Sequence, residues 1–304
     1  MLRFITRRVA FILIVCIAII FIAYLGMGMI RNSEVANPSY DLVAQTKLAW
    51  QRSRVYISSL VEGEISFKIS QPGLSGIDTG RGNAFFNSMV LLAIALGGSV
   101  LIGLPLGAFA ALTRHKRLVT PLLILVLIGI STPVFFSGFL LQQIEILYLF
   151  FFGHSLVSVA GFGWDIDHML LPILVLAARP IAYLARHSFL ALDRVMEENY
   201  IQTAYAKGLG QRYTVIVHAL RNLAIPILTA IGVSLRFSLG SLPVVEFLFL
   251  WPGMGLRLLQ AINNREAAVV VTLTLLIGLT ILGINLILDI TYRFIDPRIR
   301  DNEL

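Results

Sequence analysis

Charge is what this sequence has least of. Asp, Glu, Lys and Arg make up 13% of its 304 residues, about half the share found in soluble domains. Charges this sparse cannot clothe a water-facing surface, and a 57% hydrophobic composition makes lipid the solvent for much of the chain. Cysteine is nearly absent, with Cys16 alone inside the first apolar run. That excludes an intrachain disulfide and a multi-thiolate metal cluster, and leaves a small buried hydrophobe. No phosphate loop of the form GxxxxGK followed by Ser or Thr occurs, so ATP hydrolysis would have to reside in another chain. His115, His154, His168, His187 and His218 are scattered without HExxH or another metal-ligand spacing, and suit interfacial or hydrogen-bonding roles. Ser, His and Asp are present without forming a recognisable nucleophilic triad. The expectation is a chain that is not an enzyme and binds no cofactor or metal itself.

Long apolar runs are what the sequence has in quantity. Residues 9–30 form a first run that rises about 33 Å as a helix, enough for the hydrocarbon core. No small-residue cleavage site follows it and more runs come later, so it reads as a retained span, not a signal peptide. Residues 31–86 read as a small extracytoplasmic region, too short for a sizeable core of its own. Pro38, Pro72, Gly73, Gly76, Gly80 and Gly82 break it, while 40–60, with Leu42, Val43, Leu48 and Trp50, suits an amphipathic helix.

The second span, 88–112, carries Gly103 and Gly107 on one helical face and Gly97, Leu101 and Pro105 on another. Small residues allow close helix approach, and Pro105 frees backbone groups for a neighbour to satisfy. The third stretch, 118–152, is too long for one untilted span; Pro133 is expected to kink it, and Gln142, Gln143 and Glu145 to mark its outer end or a re-entrant part. The fourth runs 169–186. The fifth, 225–242, is the weakest, with Pro226 and Arg236 inside and Pro243 behind; 244–254 is expected to turn back at the outer surface. The sixth, 267–290, is unambiguous, with Asp289 near its inner end.

The net charge of +7 is distributed unevenly. Arg3, Arg7 and Arg8 precede the first span; Arg114, Lys116 and Arg117 follow the second; Arg186, Arg194, Lys207, Arg212 and Arg221 follow the fourth; Arg293, Arg298 and Arg300 lie in the tail. The link 153–167 has no Lys or Arg and carries Asp165 and Asp167. The positive-inside bias places both termini, the Arg114 link and the Lys207 loop in the cytoplasm. No basic stripe supports a nucleic-acid partner.

Residues 200–210 read Tyr-Ile-Gln-Thr-Ala-Tyr-Ala-Lys-Gly-Leu-Gly and fall between the fourth and fifth spans. Glu197 and Glu198 are suited to opening a helix that continues through Ile201, Ala204 and Lys207, acids at its start and a base at its end. Ala204 and Gly208, four apart, offer a small-residue face that another protein can approach closely. Gly208 and Gly210 suit the turn that ends the helix, with Leu209 an apolar anchor between them.

Arg179 and Arg236 lie inside spans. A guanidinium at that depth stays charged and needs a carboxylate, carbonyls, a headgroup or water. The sequence leaves open a solute carboxylate, an ion pair to a partner subunit, helix-end carbonyls and, for Arg179, snorkelling to the interface. Glu246 is a third polar candidate; ten helical residues, about 15 Å, separate it from Arg236.

Taken in order, residues 200–210, His218-Ala219-Leu220-Arg221-Asn222 with Pro226, Glu246, Trp251-Pro252-Gly253-Met254-Gly255, Asn285-Leu286, Asp289 and Asp296-Pro297-Arg298 resemble the inner-membrane permease subunits of dipeptide, oligopeptide and nickel ABC importers. The likeness is to the subunit whose gene usually comes first of the permease pair, and it covers about 84–300. It implies an all-α polytopic fold, the type I ABC importer transmembrane domain with about six spans. Its segments would be 1–30 with the first span, the insertion 31–86, the core 87–292 with a coupling loop at 191–221, and the tail 293–304. It also implies a second homologous permease, two nucleotide-binding ATPase subunits holding ATP and magnesium, an extracytoplasmic solute-binding protein, surrounding lipid, and a bacterial or archaeal cell membrane, the inner one in a Gram-negative cell. Within the loop, Tyr200, Thr203, Ala204, Tyr205, Lys207, Gly208, Leu209, Gly210 and Arg212 would couple to the ATPase. Ala204, Gly208 and Gly210 would allow close docking, and Tyr205, Leu209 and Arg212 would supply contacts.

The chain departs from the family where a receptor would dock. Arg31-Asn32-Ser33-Glu34 stands in place of Pro-Gly-Asp-Pro, and Leu156-Val157-Ser158-Val159-Ala160-Gly161 in place of Leu-Pro-Val-x-Gly. The import engine is expected, while the solute is left open among peptides, nickel complexes and related molecules. The implied mechanism is alternating access, with ATP-driven closure moving the loop as a lever. An ion-coupled secondary transporter and a non-transporting membrane scaffold are the competing readings.

Overall fold

The structure, a computed structural model, describes residues 2–33, 42–62, 84–113 and 116–295. The helices are α1 (Leu2–Ser33), α2 (Leu42–Val61), α3 (Ala84–Leu112), α4 (Lys116–Ser131), α5 (Val134–Phe152), α6 (Ile166–Met196), α7 (Asn199–Ala206) and α8 (Gln211–Tyr213). A π-helical turn (Thr214–Ala219), α9 (Leu220–Leu248), α10 (Met254–Asn263) and α11 (Ala267–Ile295) complete the order. Among the described residues, six segments are long and apolar enough to cross a bilayer: Thr6–Ile30, Ala84–Leu112, Val134–Phe152, Ile166–Met196, Gln211–Leu248 and Ala267–Thr291. The chain is an all-α, multi-pass membrane protein. A helix satisfies its own backbone in hydrocarbon, and Pro105, Pro172, Pro180, Pro226 and Pro243 inside α3, α6 and α9 are tolerated where neighbouring groups re-satisfy the backbone they free. The Pro/Gly-rich part of 31–86, Arg114, His115 and the tail motif Asp296-Pro297-Arg298 lie outside the described residues.

Three boundaries differ from the sequence expectation. The stretch 118–152 is broken at Pro133, which adopts extended backbone (φ −63°, ψ 139°) between α4 and α5. Proline lacks the amide of the helical ladder and pushes the preceding residue out of helix, and here that ends α4 instead of kinking it. Helix α6 continues beyond Arg186 to Met196, taking 191–196 out of the loop. Helix α9 runs to Leu248 through Pro226 and Pro243, so the reversal comes after Glu246, at 249–253. There the Trp251 amide donates to the Glu246 carbonyl (2.9 Å) and Leu250 takes φ +54°. The amphipathic α10 that follows was not anticipated.

The chain divides into two compact units, residues 1–88 with 252–286 and residues 89–251 with 287–304. In the first, the amphipathic helix expected at 40–60 is α2. It packs on α1 through Tyr24 against Tyr56 and Phe21 against Trp50, around a core of Ile20, Ala49, Val271 and Leu275. The Tyr56 hydroxyl lies 2.8 Å from Thr272 Oγ1. Asn87 donates to the Pro252 carbonyl, Ser88 Oγ accepts from the Met254 amide, and Arg257 pairs with Glu266.

In the second unit α6 packs extensively against α9. Helix α3 approaches α6 closely where Gly103 faces Ile181 and Gly107 faces Ala185 and Ser188, the contact its glycine face implied. Ser188 Oγ donates to the Leu104 carbonyl (2.8 Å) and Ser99 Oγ to the Ala177 carbonyl (3.3 Å), tying the two helices by polar contacts as well.

Candidate functional site

The loop after α6 is a short helix with a built stop. Glu198 stands at the N-cap of α7 in extended conformation, and Lys207 at its C-cap. The Gly208 amide donates to the Tyr205 carbonyl (2.9 Å) and the Leu209 amide to the Ala204 carbonyl (3.2 Å), the paired bonds of a Schellman turn. Gly208 has φ +80°, a left-handed conformation that favours glycine. Gly210 keeps ordinary backbone and caps α8.

Helix α7 is held from one side. Ile201 is fully buried with Leu192, Ala219 and Leu223, and Tyr205 packs at the edge of this cluster. Asn222 Nδ2 donates to the Tyr200 hydroxyl (2.6 Å), pinning α7 to the start of α9. Gln202 reaches back to the Met196 carbonyl (3.3 Å). A cavity of about 310 Å³ lined by Thr113, Met196, Tyr205 and Gln211 lies beside this attachment.

The sequence candidates separate into two faces. Tyr200, Thr203, Lys207, Gly208, Gly210 and Arg212 are exposed, with Leu209 half-buried. Ala204 is buried at 5% exposure, so its methyl packs against its own chain and does not present the small outer surface expected of it. In a helix of eight residues the inward stripe is set by Ile201, and Ala204 falls one turn-step behind it. Between the loop and α9, the π-helical turn buries Thr214 fully, its hydroxyl without a hydrogen bond among the described residues.

The membrane arginines come to one level. Arg179 on α6 lies over the ring of Phe237 on α9, guanidinium carbon 4.3 Å from the centroid. Phe237 meets Tyr183 edge-on at 5.3 Å, and Tyr183 lies against His187 at 4.1 Å. Arg236 is exposed. Glu246 is fully buried in α9, and the loop motif and the arginines are not brought together with it.

Two polar residues prove structural where the sequence suggested an outer end or a re-entrant part. Glu145 is buried and accepts from the amides of Leu156 (2.6 Å) and Val157 (3.2 Å), and Gln142 donates to the carbonyls of Val159 and Leu248. Together they fasten the loop after α5. Asp165 caps α6, accepting from the His168 amide (3.0 Å) and lying 2.6 Å from His168 Nδ1. The His168 side chain, then its amide, hold the Asp165 carboxyl below the usual carboxylate range.

Comparison with known proteins adds an independent line. Residues 103–301 match the family model described as binding-protein-dependent transport system inner membrane component. The glutathione transport system permease protein of Escherichia coli (strain K12) is 33% identical over 245 residues, covering 81% of this chain and 78% of that protein. A provisionally named peptide permease protein of Brucella suis biovar 1 (strain 1330) is 32% identical over 217 residues, covering 70% and 68%.

Proposed function

From a chain that belongs to the family of binding-protein-dependent transport system inner membrane components, we propose a permease subunit forming half of the translocation pathway of an ATP-driven importer for peptides or a related small solute. Permeases of this family are not themselves catalytic, and ATP with magnesium is held by two partner ATPase subunits. A second homologous permease and an extracytoplasmic solute-binding protein complete the assembly, with both termini of this chain in the cytoplasm. The peptide-like solute rests on the names of the two relatives.

The observation that carries the coupling role is the split character of α7. Ile201 and Ala204 are buried while Tyr200, Thr203, Lys207, Gly208, Gly210 and Arg212 face outward. An ATPase subunit would grip that outward face, with Tyr205 and Leu209 at its margin. Displacement would pass to α9 through the Tyr200–Asn222 bond and the π-helical turn, reorienting the α6–α9 wall in alternating access. Gly210→Trp tests the docking. A β-carbon there meets nothing within 4 Å among the described residues, so the fold is expected to persist while co-purification of the ATPases and ATP-driven uptake are lost. Full assembly and uptake in Gly210→Trp would defeat the coupling assignment.

A further inference from the structure

Resting on the permease reading, we propose that Arg179 and Arg236 form an anion-recognition site in the pathway wall that takes the carboxylate of the transported solute. Arg179 is thirteen residues from the start of α6 and Arg236 twelve from the end of α9, about 20 and 18 Å along the two helices. The Arg179–Phe237 contact confirms that the two arginines share a level. Two guanidinium groups at one depth in a membrane protein require a counter-charge or water. Among the described residues, no carboxylate is seen within ion-pair distance of either; His168–Asp165 and Arg257–Glu266 are pairs that leave both arginines out. The nearest acid on α9 in sequence is Glu246, about 15 Å along the axis from Arg236 and fully buried.

The geometry leaves donors available. Arg179 holds its guanidinium carbon 4.3 Å from the Phe237 ring centroid, where the ring face attracts the cation. Its Nε is buried and has no hydrogen-bond partner among the described residues. Tyr183 braces Phe237 edge-on, so the guanidinium is held on a supported platform. Arg236 lies with Thr229, Gly240 and Val244 on the exposed stripe of α9, whereas Ser234, Ser238 and Leu242 are buried. A charged residue exposed at mid-span is too costly against lipid, so this stripe faces the aqueous pathway. Arg179, Tyr183 and His187 step by four along α6 and continue the polar wall toward its Met196 end. The exposure of Arg236 would keep such a site weak, as passage requires.

The test uses the whole importer in proteoliposomes, loaded with ATP and offered a random tetrapeptide mixture in free-acid and C-terminally amidated forms, uptake being read by mass spectrometry. Receptor binding of each form is measured separately, so that its preference is divided out. For Arg236→Met and Arg179→Met, acid uptake is expected to fall about tenfold or more from loss of a charge-assisted hydrogen bond. Amide uptake and subunit stoichiometry should stay near wild type, and Arg236→Lys should recover part of the acid uptake. Equal losses for acid and amide, or unchanged acid uptake, overturn the site. So does reduced co-purification of the second permease, which would assign the counter-charge to that subunit. ATP-independent uptake, or no uptake of either form, by the wild-type complex would instead defeat the peptide-importer reading itself.

Discussion

Gly107 of α3 lies directly against the backbone of Ala185 in α6. A β-carbon at Gly107 would overlap the Ala185 carbonyl oxygen and come within 2.5 Å of Ser188 Oγ; one turn earlier, a β-carbon at Gly103 would stand 2.8 Å from the Ile181 carbonyl. The obstacle is backbone, which cannot swing aside as a flexible side chain does. Small residues four apart therefore set the distance between these helices.

Gly107→Val is expected to lower stability by about 1–3 kcal/mol, the usual cost of overpacking, and to break the Ser188–Leu104 hydrogen bond. Thermal unfolding of the purified complex in detergent measures it. Gly97→Ala is the control, because among the described residues nothing lies within 4 Å of a β-carbon there; it should be neutral or stabilising by about 0.5–1 kcal/mol through helix propensity.

Gly208→Ala tests the stop of α7. At φ +80° an L-residue costs about 1–2 kcal/mol, although the space around it is open. Hydrogen exchange at the Gly208 and Leu209 amide positions, which close the Schellman turn, should accelerate while exchange within α6 stays unchanged. Unchanged protection at both would refute a strained stop.

Tyr200→Phe and Asn222→Ala each remove the 2.6 Å bond between α7 and α9. Each is expected to cost about 1 kcal/mol and to raise exchange in α7. Because the two residues share one interaction, the double variant should lose less than the sum of the single losses. Additive losses would show that the bond contributes nothing.

Asp165 predicts an acid-sensitive start to α6. Its carboxyl is held below the ordinary value of 3.8 by His168. A depressed carboxylate contributes stability fully above its unfolded value, and that contribution is lost as pH falls through the folded one. Protection of the His168 amide should therefore fall off below about pH 4. Asp165→Asn, which keeps a capping oxygen without the charge, should flatten the dependence. An unaltered acid profile in that variant would remove Asp165 as its source.

The six spans and the loop between α6 and α9 were legible because lipid imposes long apolar runs and because Gly208 marks a turn that few residues can make. The break at Pro133 was not, since apolar residues continue on both sides and composition does not tell a kink from an interruption. The ends of α6 and α9 were misplaced because Arg186 and Pro243 looked like boundaries, yet a helix continues past a membrane surface and tolerates proline within a packed bundle. Ala204 was assigned to the wrong face because its orientation depends on where Ile201 finds a core. The stacking of Arg179 on Phe237, 58 residues away, leaves no local pattern to read.

The π-helical turn at Thr214–Ala219 holds one residue more per turn than the α-helix into which it runs. Residue for residue, α-helical geometry turns by 100° and rises about 1.5 Å. Narrowing that turn would consequently screw α9 about its own axis relative to α7, turning the Arg236 stripe sideways as well as along the membrane normal. The segment is thus a store of helical register, placed where a push on α7 would become a rotation of α9.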